Sequence, residues 1–137
     1  MSARSFLDTN VLVYTDDADA PVKQSRALEL LHRTRLDGSG VLSTQILQEY
    51  FSAATRKLGV PARLARRKIE LFARFDVVLV DLSDILGAID LHRLHQISFW
   101  DSLVIRAALR SGCSLLYTED LQPALRIEGL EIVDPFA

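Results

Sequence analysis

Apolar positions along the chain fall into two rhythms. Short apolar runs alternate with longer stretches in which apolar residues recur at helical spacing. Ser5-Phe6-Leu7 reads as a first strand. Pro21 to Leu36 reads as a helix, stopped by the Gly38-Ser39-Gly40 turn. "GVLS" gives a second strand. The stretch "TQILQEYFSAATRKL" gives a helix with Ile46, Leu47, Tyr50, Phe51, Ala54 and Leu58 along one stripe, ended by Gly59. Pro61 suits the first turn of another helix, predicted to turn Leu64, Leu71, Phe72 and Phe75 inward. The β-branched run Val77 to Asp81 has the pattern of a strand buried on both sides. Ser83 is placed to cap a helix over Ile85 to His95, and Ser98 to cap "FWDSLVIRAALRS", which Gly112 stops. "SLLYT" and "LEIVD" supply a fourth and a fifth strand. Strands alternating with helices predict one α/β domain over residues 1–137, three layers deep, with a mainly parallel sheet of about five strands. Ligands of such sheets bind beyond the carboxyl ends of the strands.

Composition narrows the function classes. The length allows a real core in one domain. No apolar run reaches the roughly 20 residues of a membrane span, and no signal-peptide block follows Arg4, so the expected location is the cytoplasm. The net charge of −2 excludes a general nucleic-acid coat protein. Basic residues are unevenly spread, however: Arg56, Lys57, Arg63, Arg66, Arg67, Lys68 and Arg74 are seven of the sixteen. Arg63, Arg66, Arg67 and Arg74 share the face opposite the apolar stripe, and Lys68 does not fit that split. This face is either a solvated helix surface or a contact for RNA or a protein partner, with Arg56, Arg63 and Arg67 as its candidates. The lone Cys113 stands in an apolar stretch and reads as a buried thiol, not a nucleophile.

Four carboxylates stand in unexpected places. Asp8 lies between two apolar runs, directly after the first strand. Glu49 borders an apolar stripe, Asp101 opens a strongly apolar helix, and Asp120 follows the fourth strand. Each has a plain alternative: an Asx-turn for Asp8, a solvated edge for Glu49, helix capping for Asp101 behind Ser98, a loop acid for Asp120. Taken together, the ends of strands one and four would fall at one sheet edge, and the two helix residues could join them. Carboxylates gathered in a cleft raise one another's pKa unless a cation neutralises them. Mg²⁺ and Mn²⁺ take such oxygen ligands and support in-line phosphoryl displacement, lowering the pKa of the attacking water and stabilising the leaving oxygen.

The blocks "FLDTNVLVY", "STQILQEYFSAATRKLG", "SFWDSLVIRAAL" and "LLYTEDLQ" resemble, in order and spacing, the signature blocks of PIN-domain proteins, and most of all the VapC-type ribonuclease toxins of bacterial toxin–antitoxin modules. The resemblance runs from Asp8 to about Leu130. It implies Mg²⁺- or Mn²⁺-dependent endonucleolytic cleavage of RNA, a homodimer, and a cognate antitoxin that covers the site. It assigns Asp8, Glu49, Asp101 and Asp120 to the metal-binding acids. Thr9, Asn10, Ser98 and Thr118 match the polar residues that support those acids. Glu119 competes with Asp120 for the last position, and Asp120 is the expected ligand.

Three other readings stand beside this one. A phosphatase of the haloacid-dehalogenase type also places an Asp after its first strand, but needs a second Asp where this chain has Asn10. The same metal chemistry would cleave DNA. In a non-catalytic module of the same fold, the acids are caps and turns and the basic face binds RNA or a partner. His92 and His95, three apart on a helix, lack a third metal ligand and read as structural. Trp100 is expected to pack beneath the site, with base stacking as the alternative. Tyr50 and Phe51 are expected in the core or a dimer interface.

Overall fold

A computed structural model of the chain describes residues 3–122 and 126–137. Strand β1 (Ser5–Leu7) is buried at every position, as a central strand covered on both faces must be. Asp8 ends it in an extended conformation, and its carboxylate accepts from the Thr9 amide at 2.7 Å. That cap starts helix α1 (Thr9–Tyr14), which buries Val11 and Leu12. Helix α2 (Pro21–Leu36) and strand β2 (Gly40–Ser43) fall where the apolar pattern puts them. Gly40 is required by close approach, because a Cβ there would lie 2.6 Å from the Phe75 ring.

Helix α3 (Thr44–Lys57) buries Ile46, Tyr50 and Ala54. Helix α4 (Ala62–Phe72) buries Ala65 and Phe72, with Ile69 partly buried between them. Leu64 and Leu71 were expected inside and are exposed, because the inward stripe runs through 65, 69 and 72. Lys68 leaves the arginine face to reach Asp16 at 2.9 Å and Thr15 at 2.8 Å. Strand β3 (Asp76–Val78) corrects the doubly buried strand expected over Val77 to Asp81: it forms the sheet edge, only Val78 is buried, and Leu79 is exposed. Asp81, not Ser83, caps helix α5 (Leu82–His95), in a reciprocal box with Asp84. Helix α6 (Phe99–Arg110) carries the Ser98 cap as expected. Strands β4 (Leu115–Tyr117), β5 (Arg126–Ile127) and β6 (Leu130–Val133) complete the sheet.

Among the described residues the sheet has six strands in the order β3-β2-β1-β4-β6-β5, one more than expected. The addition is β5, antiparallel to β6 across Glu128 and Gly129, both at positive φ as a tight hairpin turn requires. The other pairings are all parallel. Helices cover both faces: α1 packs on α2 and α3, while α5 and α6 pack together and α6 lies on β2, β4 and β6. Phe6, Leu7, Leu42, Ile105, Leu116 and Ile132 are fully buried between the layers. β1 and β4 are neighbours and point the same way, so their carboxyl ends lie side by side.

Candidate active site

Those adjacent strand ends bring two of the expected acids together. Asp8 is 5 % exposed. Its second carboxylate oxygen accepts from the Thr118 hydroxyl at 2.8 Å. Thr118 is a fully buried hub just beyond β4. Its oxygen also accepts from the Asn10 amide at 3.1 Å and from the Asp120 backbone N–H at 3.0 Å. Asn10 donates as well to the Asp120 carboxylate at 3.1 Å. Thr9 donates to Glu49 at 2.7 Å, which ties α3 to the start of α1. Thr9, Asn10 and Thr118 thus hydrogen-bond to Glu49, Asp120 and Asp8 respectively.

Burial pushes the Asp8 carboxyl up to about 6, against the lowering effect of the bonds from Thr118 and Thr9, and the charges of Asp120 and Glu49 add to the rise. Glu119, the rival of Asp120, turns elsewhere. Its carboxylate accepts from Tyr14 at 2.6 Å and from Lys23 at 2.9 Å. Tyr14 and Lys23 are both held toward their protonated forms, each first by its hydrogen bond with Glu119.

Asp101 stands on a different element. It occupies the first turn of α6, half-buried, with its backbone N–H bonded to Ser98 Oγ at 3.0 Å. Ser98 therefore caps the helix end, and among the described residues no hydrogen bond joins it to a carboxylate. Next to Asp101, the Trp100 carbonyl accepts from Gln45 at 3.2 Å, and Gln45 also lies 3.5 Å from Glu49 as a donor. Among the described residues no hydrogen bond joins Asp101 to the other three acids, and no three acidic, His or Cys side chains are grouped closely enough to hold an ion as they stand. The donor set still fits a hard divalent cation. It is all oxygen, Asp8 is buried with a raised pKa, and none of the four acids enters an ion pair among the described residues. Two buried carbonyl oxygens beside them, Asn10 Oδ1 and Gln45 Oε1, have no partner there either.

Other expected residues separate. Arg56 lines a cleft of about 470 Å³ with Thr9, Glu49, Ser52 and Lys57, at the site. Arg63 lines a different groove, with Phe51, Arg66 and Ile69, between α3 and α4. Arg67 is exposed on α4, away from both linings. Trp100, expected beneath the site, is 62 % exposed and makes an edge-on ring contact with Phe99. Its backbone, not its ring, reaches inward. His92 and His95 contact the Ile97 carbonyl and Glu128 respectively, so they share no ligand. Cys113 is buried, which pushes its thiol up. Tyr50 is core, and Phe51 is partly exposed. Gln45 escaped the sequence reading, although it was visible as the i−4 neighbour of Glu49, and Lys57, read only as part of the basic run, lies eight residues beyond Glu49 on the same helix.

A mainly parallel sheet covered by helices, with Asp8 and Asp120 beyond the adjacent ends of β1 and β4, makes this an α/β domain with carboxylates at its central strand ends. The PIN domain family matches residues 5–128, and the chain belongs to that family. No curated protein matches the sequence. Among solved structures, a toxin–antitoxin complex from Klebsiella pneumoniae is similar over 96% of this chain and 97% of its own, with a TM-score of 0.69 at 16% identity. VapBC2 from Rickettsia felis, bound to a DNA fragment from its promoter, covers 93% of this chain and 96% of its own, with TM-score 0.68 and 18% identity. Mycobacterium tuberculosis VapC20, a Sarcin-Ricin loop cleaving toxin, covers 85% and 91%, with TM-score 0.63 and 19% identity. At these identities the likeness is one of fold.

Proposed function

We propose that this chain is a VapC-type endoribonuclease of the cytoplasm. Asp8, Glu49, Asp101 and Asp120 would hold Mg²⁺ or Mn²⁺ and hydrolyse RNA phosphodiester bonds. The observation that carries the reading is a contrast between two buried aspartates. Asp84 is fully buried and neutralised by Arg106 at 3.2 Å and Arg110 at 2.6 Å. Asp8 is almost as deeply buried beside Glu49 and Asp120, and no cationic side chain pairs with it among the described residues. A charge left in that state is costly unless a cation arrives.

When bound, the ion would activate water and stabilise the charge that develops on phosphate oxygens. The chain's own residues do the rest. Thr118 and the Thr9 amide keep Asp8 turned outward from β1, Thr9 orients Glu49, and Asn10 orients Asp120. Arg56, in the cleft shared with Glu49, supplies a contact for a phosphate on the RNA strand.

The antitoxin and homodimer also belong to this proposal. The groove of about 470 Å³ lined by Phe51, Ala62 and Ile69, with Arg63 beside the Arg66–Glu70 pair, suits an amphipathic antitoxin segment that offers Arg63 an acid. Leu82, Ile85, Leu86 and Ile89 form an exposed apolar stripe on α5, suited to a second copy of the chain. The chain has no described helix long and apolar enough to cross a membrane.

The test is cleavage of a structured RNA by purified protein with Mg²⁺, with Mn²⁺ and with chelator, beside Asp101→Asn. Metal-dependent cutting by the wild type and none by the variant is expected. Cutting in chelator, or equal cutting by both proteins, refutes the reading. Binding of RNA with no cutting under any metal would favour the non-catalytic module, and cutting of DNA in preference to RNA would move the substrate.

A further inference from the structure

We propose that the groove between α1 and α3, next to the acids, is a nucleotide subsite that selects guanine. The proposal rests on the nuclease reading, which supplies RNA as the ligand. The groove has a volume of about 340 Å³ and shares Thr9, Asn10 and Asp120 with the acid cluster. From there it follows α1 to Tyr14 and on to Asp17. Six helical residues at about 1.5 Å each give a run of roughly 9 Å, room for a nucleotide laid along the helix.

Its walls differ from its ends. Val13, Ala53 and Leu58 supply apolar sides, and the small Ala53 keeps the groove open. Such a lining with a few fixed polar groups suits a planar base. Lys57 stands on the ridge shared with the Arg56 cleft, so cations border the side toward the phosphate path. At the Tyr14 end the lining holds Asp17 and Glu119, and Lys23 ion-pairs with Glu119, which leaves Asp17 as the acid without a cationic partner there among the described residues. Tyr14 and Lys23 grip Glu119 at 2.6 and 2.9 Å, so this acceptor is fixed in direction. Asp17 has one oxygen accepting from the Asp19 amide at 3.1 Å.

Ionised carboxylates accept and do not donate. Asp17, which enters no ion pair among the described residues, favours an edge rich in N–H groups. On its Watson–Crick edge guanine offers two adjacent donors, N1–H and the N2 amino group. Adenine and cytosine offer one amino group beside an acceptor, and uracil a single N–H flanked by two carbonyls. Single-stranded RNA exposes these edges. The groove therefore orders the bases with guanine first and uracil last.

The experiment titrates the chelated, metal-free protein with GMP, AMP, CMP and UMP and follows the Val13 and Leu58 methyl signals by NMR. Wild type should bind GMP at those methyls, about tenfold or more tighter than UMP, the effect of one charge-assisted hydrogen bond. Asp17→Asn should shrink that ratio, and Ala53→Phe should abolish binding. Ala53→Leu serves as the milder plug, with unfolding curves confirming that the variants are folded. Equal affinity for GMP and UMP, or no perturbation at those methyls with any nucleotide, overturns the subsite. The nuclease reading is scored separately by RNA cleavage: cutting without nucleotide binding refutes the subsite alone, and the expected GMP binding without cutting refutes the nuclease alone.

Discussion

Replacing Asp8 with asparagine should make the metal-free protein more stable at neutral pH, although it takes the charge out of two hydrogen bonds. Burial lifts this carboxyl from 3.8 to about 6. At about 1.4 kcal/mol per pKa unit, the ionised form is disfavoured in the fold by about 3 kcal/mol relative to the unfolded chain. The sign follows from proton binding. The folded state holds the Asp8 proton more tightly, so this contribution is fully present below about pH 4 and is lost as pH rises through about 6. Asparagine never ionises and escapes the loss. It still accepts from the Thr9 amide, but weakens the bond with Thr118, at a cost of about 1–1.5 kcal/mol. The net gain is about 1.5–2 kcal/mol, or roughly 5 °C in Tm for a domain of this size. Circular dichroism melts in chelator at about pH 8 and about pH 4.5 would show a higher Tm for the variant at the first pH only. Adding Mn²⁺ should then raise the wild type and leave the variant behind. A variant that melts at or below the wild type at the higher pH, in chelator, would refute the claim that Asp8 is an uncompensated buried charge.

Gln45→Leu should weaken divalent-ion affinity and cleavage by about tenfold, because Gln45 joins Glu49 to the Trp100 carbonyl across α3 and α6; Gln45→Glu should be worse, since it adds charge and loses the donor. Asp84→Asn should destabilise the fold by about 2–3 kcal/mol in denaturant melts, with Arg106 and Arg110 left facing each other without a counter-charge. Burial works to raise the Asp84 carboxyl, but Arg110, the Asp81 cap and Arg106 outweigh it and hold the group down at about 2, so its stabilisation is present above about pH 4 and fades as pH falls toward 2. Leu86→Asp should convert a dimer to a monomer by light scattering, without loss of helical signal, if the α5 stripe is the contact between copies.

The sequence made the fold readable wherever local pattern and tertiary role agreed. α2, β2 and the Ser98 cap obey their own residues. Where tertiary position decides, the reading failed. Val77 to Val80 are apolar and mostly β-branched as a central strand would be, yet β3 ends at Val78 on the sheet edge and leaves Leu79 in solvent. The run after Asp8 is too short to show helical period, so α1 was not legible, although Asp8 as its cap is a common signal. β5 has only two residues and exists through its hairpin with β6. At the site, the meeting of Asp8 and Asp120 could be inferred from strand ends. The hub role of Thr118, the capture of Glu119 by Lys23 and the bridge through Gln45 join residues far apart in sequence, and no local pattern encodes them.

The most direct measurement is Mn²⁺ binding, by titration calorimetry, to the wild type and to Asp8→Asn, Glu49→Gln, Asp101→Asn and Asp120→Asn. A shared site requires wild-type binding and a loss of affinity of about tenfold or more in each variant. Asp101 decides the matter, because it alone has no bond to the rest of the cluster among the described residues. An Asp101→Asn protein that binds Mn²⁺ like the wild type, or a wild type that binds none, would contradict a four-carboxylate metal site.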